Sequence, residues 1–355
     1  MNGSVLPGMR GVADWTVREL SSASALDPAW ARLAASSPVQ SNPAWLLATE
    51  EAALPPTVQP LYLECRDAAG LCALLPLAVT KAGLSSLTTP YSTLFQPILR
   101  PELNGTKLRR IGAALGQVAR RFGVTRLDAL DPAWPPWQEV IAGAAEVGLV
   151  PRSFAHFGNC FESVSSWDAY LAARPGALRE TIRRKTAAAS RDQTLRLEEI
   201  TELPALGPAL LAYNSVYARS WKEPEPFPAF NAALLPRLAD LGVLRMGLMW
   251  ADDNPIAAQY WTVWKGVATV LKLAHDDRVK SQSPGTVLTA WMIRRLIERD
   301  YVHEIDFGRG DDPYKQSWVS RRRQRTGTLL IYPMRATGLA ALARQAVSRV
   351  RRVLG

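Results

Sequence analysis

The chain has 355 residues, of which 48% are apolar and 21% charged, a composition typical of globular rather than disordered proteins. Its length predicts two domains of ordinary size. The three cysteines form no CxxC pair, and their odd number argues against a disulfide framework. The three histidines are far apart in the sequence, which argues against a structural zinc site.

The net charge of +10 favours an anionic partner, such as phosphate groups, nucleic acid or an acidic membrane surface. It does not choose among them, and a general preference for arginine in the genome explains it equally well. The first 14 residues lack the apolar stretch of a signal peptide, and no uncharged apolar run approaches the ~20 residues that span a bilayer. We therefore expect a cytoplasmic protein with a loose leader over residues 1–14.

The elements predicted for residues 15–165 alternate between helices and strands. Asp27 supplies a cap, with Pro28 at the first helical position. A second helix is predicted to begin at Ser41-Asn42-Pro43-Ala44-Trp45, and Pro55-Pro56 ends it. Two apolar runs around the turn at residues 66–70 predict a hairpin. The remaining predictions are a helix over 108–122, a strand over 124–130, a helix over 137–147 and a strand over 151–164.

Residues 166–335 give a clearer pattern. A basic helix over 178–190 precedes a strand over 196–200 and helices over 205–218 and 230–240. Strands over 243–250, 255–264 and 267–274 follow, then a loop, a helix over 285–299 and a strand over 302–307. This order predicts an α+β lobe rather than a doubly wound sheet. The hairpin turns at 66–70 and 252–254 correspond, which indicates a structural duplication.

The most specific pattern covers residues 271–318. It reads LKLAHDDRVKSQSPGTVL, then a helix, then EIDFGRGDDPYKQSW. Together with Ser220-Trp221-Lys222, PIAAQY at 255–260 and the basic residues at 179–185, it resembles the second lobe of Fem-like double-GNAT acyltransferases, including members linked to cellulose or exopolysaccharide synthesis. Matching elements run from about residue 167 to residue 333, and the first lobe agrees in outline only.

The resemblance implies an α+β fold with two GNAT-like lobes in tandem, each a mixed, mainly antiparallel sheet flanked by helices. The lobes would cover residues 15–165 and 166–335, followed by a basic amphipathic tail over 336–355. It also implies an N-acyltransferase that uses acetyl-CoA or another acyl-CoA as cosubstrate and needs no metal. The expected acceptor is a small-molecule or glycan amine, for example an amino sugar of polysaccharide or envelope biosynthesis.

The predicted donor site is the loop before the helix at Gly285. The amino end of a helix offers unpaired N–H groups and partial positive charge, which suit a pyrophosphate. GNAT enzymes usually carry Gln/Arg-x-x-Gly-x-Gly/Ala here, whereas this sequence reads RVKSQSPG. The structural alternative is an ordinary cap, with Ser283 at the N-cap and Pro284 at the first position. The candidate donor-binding residues are Arg278, Lys280, Ser283, Gly285 and Thr286.

Asp306, Tyr314, Lys315 and His275 are the candidate catalytic residues. Asp306 could deprotonate or orient the amine, or could equally hold the 308–310 loop by local hydrogen bonds. Tyr314 could protonate the leaving thiolate and Lys315 could neutralise a carboxylate or phosphate, the alternative being a packed tyrosine and a surface lysine. His275 could act as a base, although a lone histidine more often caps a strand end.

Trp221, Lys222 and Gln259 are the candidate acceptor-binding residues. Trp221 could line an acceptor groove or belong to the core. Gln259 and Tyr260 are neighbours on a strand and face opposite sides, and we assign Gln259 to the cleft.

Two further readings of the chain remain open. The charge of +10 suits a Fem-like aminoacyl-tRNA-dependent ligase; otherwise nucleic acid is not an expected partner. The chain could also be a catalytically silent partner of a polysaccharide-synthesis complex. The basic tail, which contains Arg344, Arg349, Arg351 and Arg352 and no acid, predicts either a peripheral helix at the inner membrane face or a solvated helix packed on the second lobe.

Overall fold

The computed structural model describes residues 4–5 and 15–344. Two compact units divide the chain: the second is Gly158–Arg323, and the first combines the residues before it with those from Gln324 onward. Except for residues 4–5, the predicted leader lies outside the described residues, as does the predicted tail beyond residue 344.

The elements before the second unit begin with a short strand and end with a long one. The strands are β1 (Ser4–Val5), β2 (Trp15–Leu20), β3 (Gln59–Asp67), β4 (Gly70–Thr80), β5 (Gly83–Ser86), β6 (Ile98–Leu99), β7 (Val124–Leu130) and β8 (Val150–Ser163). The helices are α1 (Ala29–Ala34), α2 (Pro43–Ala52), α3 (Gly105–Ala119) and α4 (Pro136–Glu146). Helix α2 begins where predicted, and Asn42 caps it, because the Asn42 side chain accepts a hydrogen bond from the Ala44 amide at 2.9 Å.

The elements that follow build the second unit and then return to the first. The helices are α5 (Trp167–Ala172), α6 (Gly176–Ala189), α7 (Leu203–Ala218), α8 (Phe230–Asp240), α9 (Pro284–Glu298) and α10 (Pro313–Trp318). The strands are β9 (Leu195–Ile200), β10 (Leu244–Ala251), β11 (Asn254–Trp264), β12 (Val267–His275), β13 (Glu304–Arg309) and β14 (Arg321–Ile331). A 3₁₀ helix over Asp277–Gln282 connects β12 to α9.

The first unit has a mainly antiparallel sheet in the order β1-β2-β3-β4-β5-β7-β14. Helices α3 and α4 pack on one of its hydrophobic clusters, which includes Ile111, Leu115 and Val140. A second cluster contains Trp30 of α1 and Tyr62 of β3, both fully buried. The large side chains of the sheet are thus buried on both faces by helices, which is how a domain of this size excludes water from its core.

The second unit repeats this architecture with the order β8-β13-β12-β11-β10-β9. Strands β10, β11 and β12 form an antiparallel meander. Helix α9 covers one face through Met292, Ile293 and Leu296, and on the other face Tyr213 of α7 packs edge-on against Tyr260 of β11. The predicted α+β class, with mainly antiparallel sheets flanked by helices, is confirmed.

The sequence predicts unit boundaries at residues 165 and 335, whereas the second unit begins at Gly158 and ends at Arg323. Strand β14 pairs with β7 from Thr326 to Ile331, so the chain after residue 323 completes the first unit. The helix that begins near residue 336 also belongs there, since the Thr337 hydroxyl lies 3.3 Å from the Phe122 carbonyl. The proposed packing of the tail on the second lobe is therefore corrected for its described part. Within the described residues, no helix is long and apolar enough to cross a bilayer.

The two helices α3 and α4 touch backbone to backbone at a pair of glycines. A Cβ atom at Gly112 would lie 2.0 Å from the Val140 carbonyl oxygen, and one at Gly143 would lie 1.9 Å from the Arg109 carbonyl oxygen. Such contacts cannot be relieved by a rotamer change, because both partners are main chain. These glycines therefore set the distance between the helices.

We predict that Gly112→Ala destabilises the first unit by about 1–3 kcal/mol, because the helices must separate. Gly105→Ala, in the same helix, is the matched control, since a Cβ there would meet only the flexible Glu139 side chain at 3.5 Å. Urea unfolding should leave this control within about 1 kcal/mol of the parent, on the stabilising side. Equal midpoints for the two variants would show that the helices are not in close contact.

Candidate functional site

Strands β12 and β13 separate and leave an opening in the sheet of the second unit. They run parallel and pair only over residues 267–269 and 304–306, while β12 stays paired with β11 as far as His275. A register shift opposite Tyr260 and Trp261 bends β12 where the separation begins. One edge of β12 beyond residue 269 thus presents main-chain groups to whatever enters the opening, as an edge strand does to an added extended segment.

The turn from β12 to α9 is organised by the buried carboxylate of Asp276. It accepts hydrogen bonds from the Arg278 amide at 3.0 Å and from the guanidinium groups of Arg278 and Arg219, both at 2.7 Å. Arg219 also donates to the Pro255 carbonyl at 2.6 Å. The Arg278 and Arg219 hydrogen bonds hold the pKa of Asp276 far below its ordinary value, so the carboxylate stays charged.

The amino end of α9 has no side-chain cap. Ser283 adopts a left-handed conformation with φ +58°, and its side chain makes no capping hydrogen bond. Ser283 occupies the N-cap position and Pro284 the first turn, as the structural alternative expects, but the cap lacks its side-chain hydrogen bond. The Thr286 and Val287 amides donate to the Ser283 carbonyl at 3.0 and 3.1 Å. Ser283, Gly285 and Thr286 are only half-buried, so an anion can reach the Gly285 amide and the Thr286 hydroxyl.

The cations around this helix end differ in how they are held. Arg278 and Lys280 are exposed and paired with Asp276 and Asp277 respectively, which reduces the charge that they can offer a ligand. Lys185 of α6 donates to the Ser281 carbonyl at 2.5 Å and so lies beside the same loop. The sequence marks α6 as basic, but nothing in its spacing indicates this contact.

Trp221 and His275 are in tilted ring contact beside the amino end of α9, with an interplanar angle of 43°. Their ring centroids are 4.4 Å apart, and a Cβ atom at Gly285 would lie 3.0 Å from the His275 Nδ1. Trp221 is 53% exposed, so the interpretation as a core tryptophan is wrong. Burial lowers the pKa of His275 despite the nearby carboxylates of Asp277 and Asp276, which keeps the imidazole neutral at pH 7.

Lys222 extends the same cluster. Its Nζ lies 5.8 Å from the Trp221 ring centroid. Burial, with the charge of Lys272 as the next cause, lowers the pKa of Lys222 to about 8, and Lys315 acts in the same direction. Lys272 of β12 and Lys315 of α10 thus lie close enough to Lys222 for their charges to lower its pKa.

The predicted Tyr314 and Lys315 are part of α10. The Tyr314 hydroxyl lies 3.3 Å from the Thr289 hydroxyl of α9, and burial raises its pKa to about 12, so it keeps its proton at neutral pH. Lys315 donates to the Arg309 carbonyl and lies 3.4 Å from the Asp312 carboxylate. It is therefore anchored to the loop after β13 rather than free at the surface.

Residues 176–316 match the family model described as an acetyltransferase (GNAT) domain. The second unit is a GNAT domain. Among curated proteins, no sequence matches this chain. Among the described residues, no group of three or more His, Cys, Asp or Glu side chains could hold a metal ion.

Several solved structures share the fold of the whole chain at low identity. FemX aligns with a TM-score of 0.58 and 8% identity over 84% of this chain and 94% of that one. The C-terminal domain (DUF2156) assigned to lysylphosphatidylglycerol synthetase in Agrobacterium fabrum gives a TM-score of 0.50 and 14% identity over 78% and 85%. A protein of unknown function from Bacteroides thetaiotaomicron gives 0.50 and 9% over 81% and 89%. The Fem-like fold is thereby shown.

Asp306 of the GNAT domain is committed to structure. Its Oδ1 accepts hydrogen bonds from the Asn159 side chain and the Gly308 amide, both at 2.6 Å, and its Oδ2 accepts one from Arg323 at 2.6 Å. It is 4% exposed. The alternative in which Asp306 holds the loop after β13 describes this geometry, so its assignment as general base is corrected.

Gln259 of the GNAT domain does not line an open cleft. It is 1% exposed, and its side-chain oxygen accepts a hydrogen bond from the Trp261 indole at 2.9 Å. Tyr260 points to the other face, where its hydroxyl donates to Asn231 of α8 at 2.5 Å. The choice of Gln259 over Tyr260 is corrected, because helices cover both faces of β11 and alternation alone cannot identify the ligand side.

We predict that Asp306→Asn destabilises the GNAT domain by about 1–3 kcal/mol, because Arg323 loses one charged acceptor and keeps only Glu304 as its carboxylate partner. Asp277→Asn, which removes an exposed partner of Lys280, should cost less than about 1 kcal/mol. Urea unfolding measures both. A fully stable Asp306→Asn protein that has lost activity would restore the general-base role.

We predict that Lys222→Met raises the unfolding temperature at pH 7, at about 2–4 °C for each kcal/mol gained. The folded pKa of about 8 lies below the ordinary lysine value of 10.5, so the cost of burying the charge is full below pH 8 and vanishes towards pH 10.5. The difference from the parent should therefore shrink between pH 8 and pH 10 in thermal scans. The exposed Lys280→Met should show no such trend.

Proposed function

We propose that the chain is an N-acyltransferase that moves an acetyl or other acyl group from an acyl-CoA to an amine. The observation that carries the proposal is the uncapped, accessible amino end of α9, directly after the open edge of β12 in a GNAT domain. A diphosphate needs main-chain N–H donors and positive charge, and a helix end of this kind supplies both.

The donor contacts follow from the elements around that helix end. The Gly285 amide and the Thr286 hydroxyl would bind the diphosphate, and Lys185 of α6 would add a cation beside the same loop. Arg278 and Lys280 would contribute less, since each already has a carboxylate partner. The main-chain groups along β12 would hold the extended arm that carries the thioester.

The chemistry requires a base for the amine and an acid for the thiolate. His275, close to Gly285, is neutral and can therefore accept a proton from the amine. Tyr314 is protonated and can therefore donate a proton to the leaving thiolate. The amine nitrogen would attack the thioester carbonyl and release its proton to His275. The C–S bond would then break, and the sulfur would take the Tyr314 proton. Amides of β12 would stabilise the oxyanion.

The acceptor is proposed to be a small-molecule or glycan amine, such as an amino sugar used in polysaccharide or envelope synthesis at the cytoplasmic side of the membrane. Trp221, which is exposed beside His275, supports this class, because an aromatic face covers the apolar side of a sugar ring.

We predict that acetyl-CoA or a longer acyl-CoA binds the parent protein in calorimetry and that Gly285→Glu weakens binding at least about tenfold, because a carboxylate at the helix end repels the diphosphate. Gly207→Glu is the matched control. It adds the same side chain to an exposed position on α7 with no atom within 4 Å, and should bind like the parent.

Equal binding by the Gly285→Glu and parent proteins would show that the donor lies elsewhere. If the parent binds no acyl-CoA but binds tRNA with steep salt dependence, the aminoacyl-tRNA ligase is favoured instead. If it binds neither, the silent partner of a synthesis complex remains.

A further inference from the structure

A cavity of about 320 Å³ lies between α7 and α8 of the second unit. Pockets that bind small molecules are typically ~300–1,000 Å³, so this one admits a compact ligand. Its wall combines aromatic rings, an amide and charged groups from Tyr213, Tyr217, Lys222, Glu225 and Asn231.

The cavity wall carries one lysine and one carboxylate, Lys222 and Glu225. The Glu225 carboxylate forms its salt bridge with Lys272 of β12. Its charge also acts on Lys222, but among the residues that the structure describes no carboxylate forms a salt bridge with the Lys222 Nζ, which instead lies 5.8 Å from the Trp221 ring centroid. A partly buried ammonium group without a direct ion pair costs free energy, and a bound anion would offset that cost.

A second donor faces the same ligand. The Asn231 side-chain oxygen already accepts the Tyr260 hydroxyl, which leaves its amide N–H groups as the polar function it can offer. Asn231 is 5% exposed and part of the cavity wall. Lys222 and Asn231 are therefore both donors, and together they suit carboxylate or phosphate oxygens.

The cavity is adjacent to the proposed donor site. Lys222 follows Trp221, whose ring contacts His275, and His275 lies beside Gly285 at the amino end of α9. A molecule held by Lys222 would thus have its other end near the residues proposed for acyl transfer. The volume is enough for one amino acid or one sugar ring.

We infer that this cavity binds an anionic group of the acceptor, so that the acceptor amine also carries a carboxylate or a phosphate. The inference depends on the proposed acyl transfer only in identifying the bound molecule as the acceptor. The anion site itself is a property of Lys222, Asn231 and the cavity.

Pyridoxal 5′-phosphate is a suitable probe, because its aldehyde condenses with a neutral lysine amine, releasing water, and borohydride reduces the resulting imine to a stable adduct. Pyridoxal is the matched probe without the phosphate. Pyridoxal is less reactive towards amines in general, because its 5′-hydroxyl closes onto the aldehyde as a hemiacetal. The labelling ratio of the phosphate form to pyridoxal is therefore divided by the same ratio at Lys81, an exposed lysine of the first unit. Peptide mapping of the full-length protein should give a normalised ratio of at least about ten at Lys222.

Competing ligands then identify the source of the anion. Protection of Lys222 by glucosamine 6-phosphate but not by glucosamine assigns a phosphate, and protection by glycine but not by glycinamide assigns a carboxylate. A normalised labelling ratio near one at Lys222, or equal protection by the neutral and the anionic ligand of each pair, overturns the inference. Acyl-CoA binding is measured by calorimetry on the same preparation. If acyl-CoA does not bind but Lys222 is still labelled selectively, only the proposed acyl transfer is contradicted.

Discussion

The buried carboxylate of Asp276 is the interaction on which the rest of the site depends. It binds Arg219, the residue just after α7, and Arg278, in the 3₁₀ helix before α9. Because Trp221 and Lys222 follow Arg219 within three residues, one carboxylate connects the proposed acceptor segment to the proposed donor loop. Both arginines donate to charged oxygens, which makes these hydrogen bonds among the stronger ones available to a protein.

Polar groups in the GNAT domain differ in how completely hydrogen bonds and ion pairs satisfy them. Glu162 is bound by Arg174, by the Ser320 amide and by its hydroxyl, a buried group with every oxygen occupied or neighboured by a donor. By contrast, the α9 amino end has no side-chain cap and Lys222 has an aromatic ring as its neighbour. A polar group without such a partner costs free energy, and a bound ligand can remove that cost. In general, costs of this kind are found at binding sites.

Much of the fold could be predicted because its local signals agree with its tertiary packing. The start of α2 near Pro43, the two hairpins and the start of α9 near Pro284 depend on neighbouring residues alone. The affiliation of β14 with the first unit depends on pairing across nearly 200 residues of chain, and no local pattern indicates it.

The same distinction separates the site residues. Trp221, Lys222, His275 and Gly285 were selected by motif, and the structure brings them together. Asp306 and Gln259 were selected by position on strands, yet their partners Arg323, Asn159 and Trp261 decide their roles. Lys185 was missed as a specific contact because its partner, the Ser281 carbonyl, is 96 residues away in the chain.

The placement of β14 also bears on how the chain acquires its structure during synthesis. The second unit, Gly158–Arg323, interrupts the first from within β8 to within β14, so it is complete on the ribosome while the first still lacks a strand. At roughly 5–20 residues per second, the first unit waits roughly 10–30 seconds with the β14-side edge of β7 uncovered. During this time the uncovered edge of β7 can pair with other chains. Rapid folding of the second unit would bring its two ends together, so that β14 reaches β7 sooner.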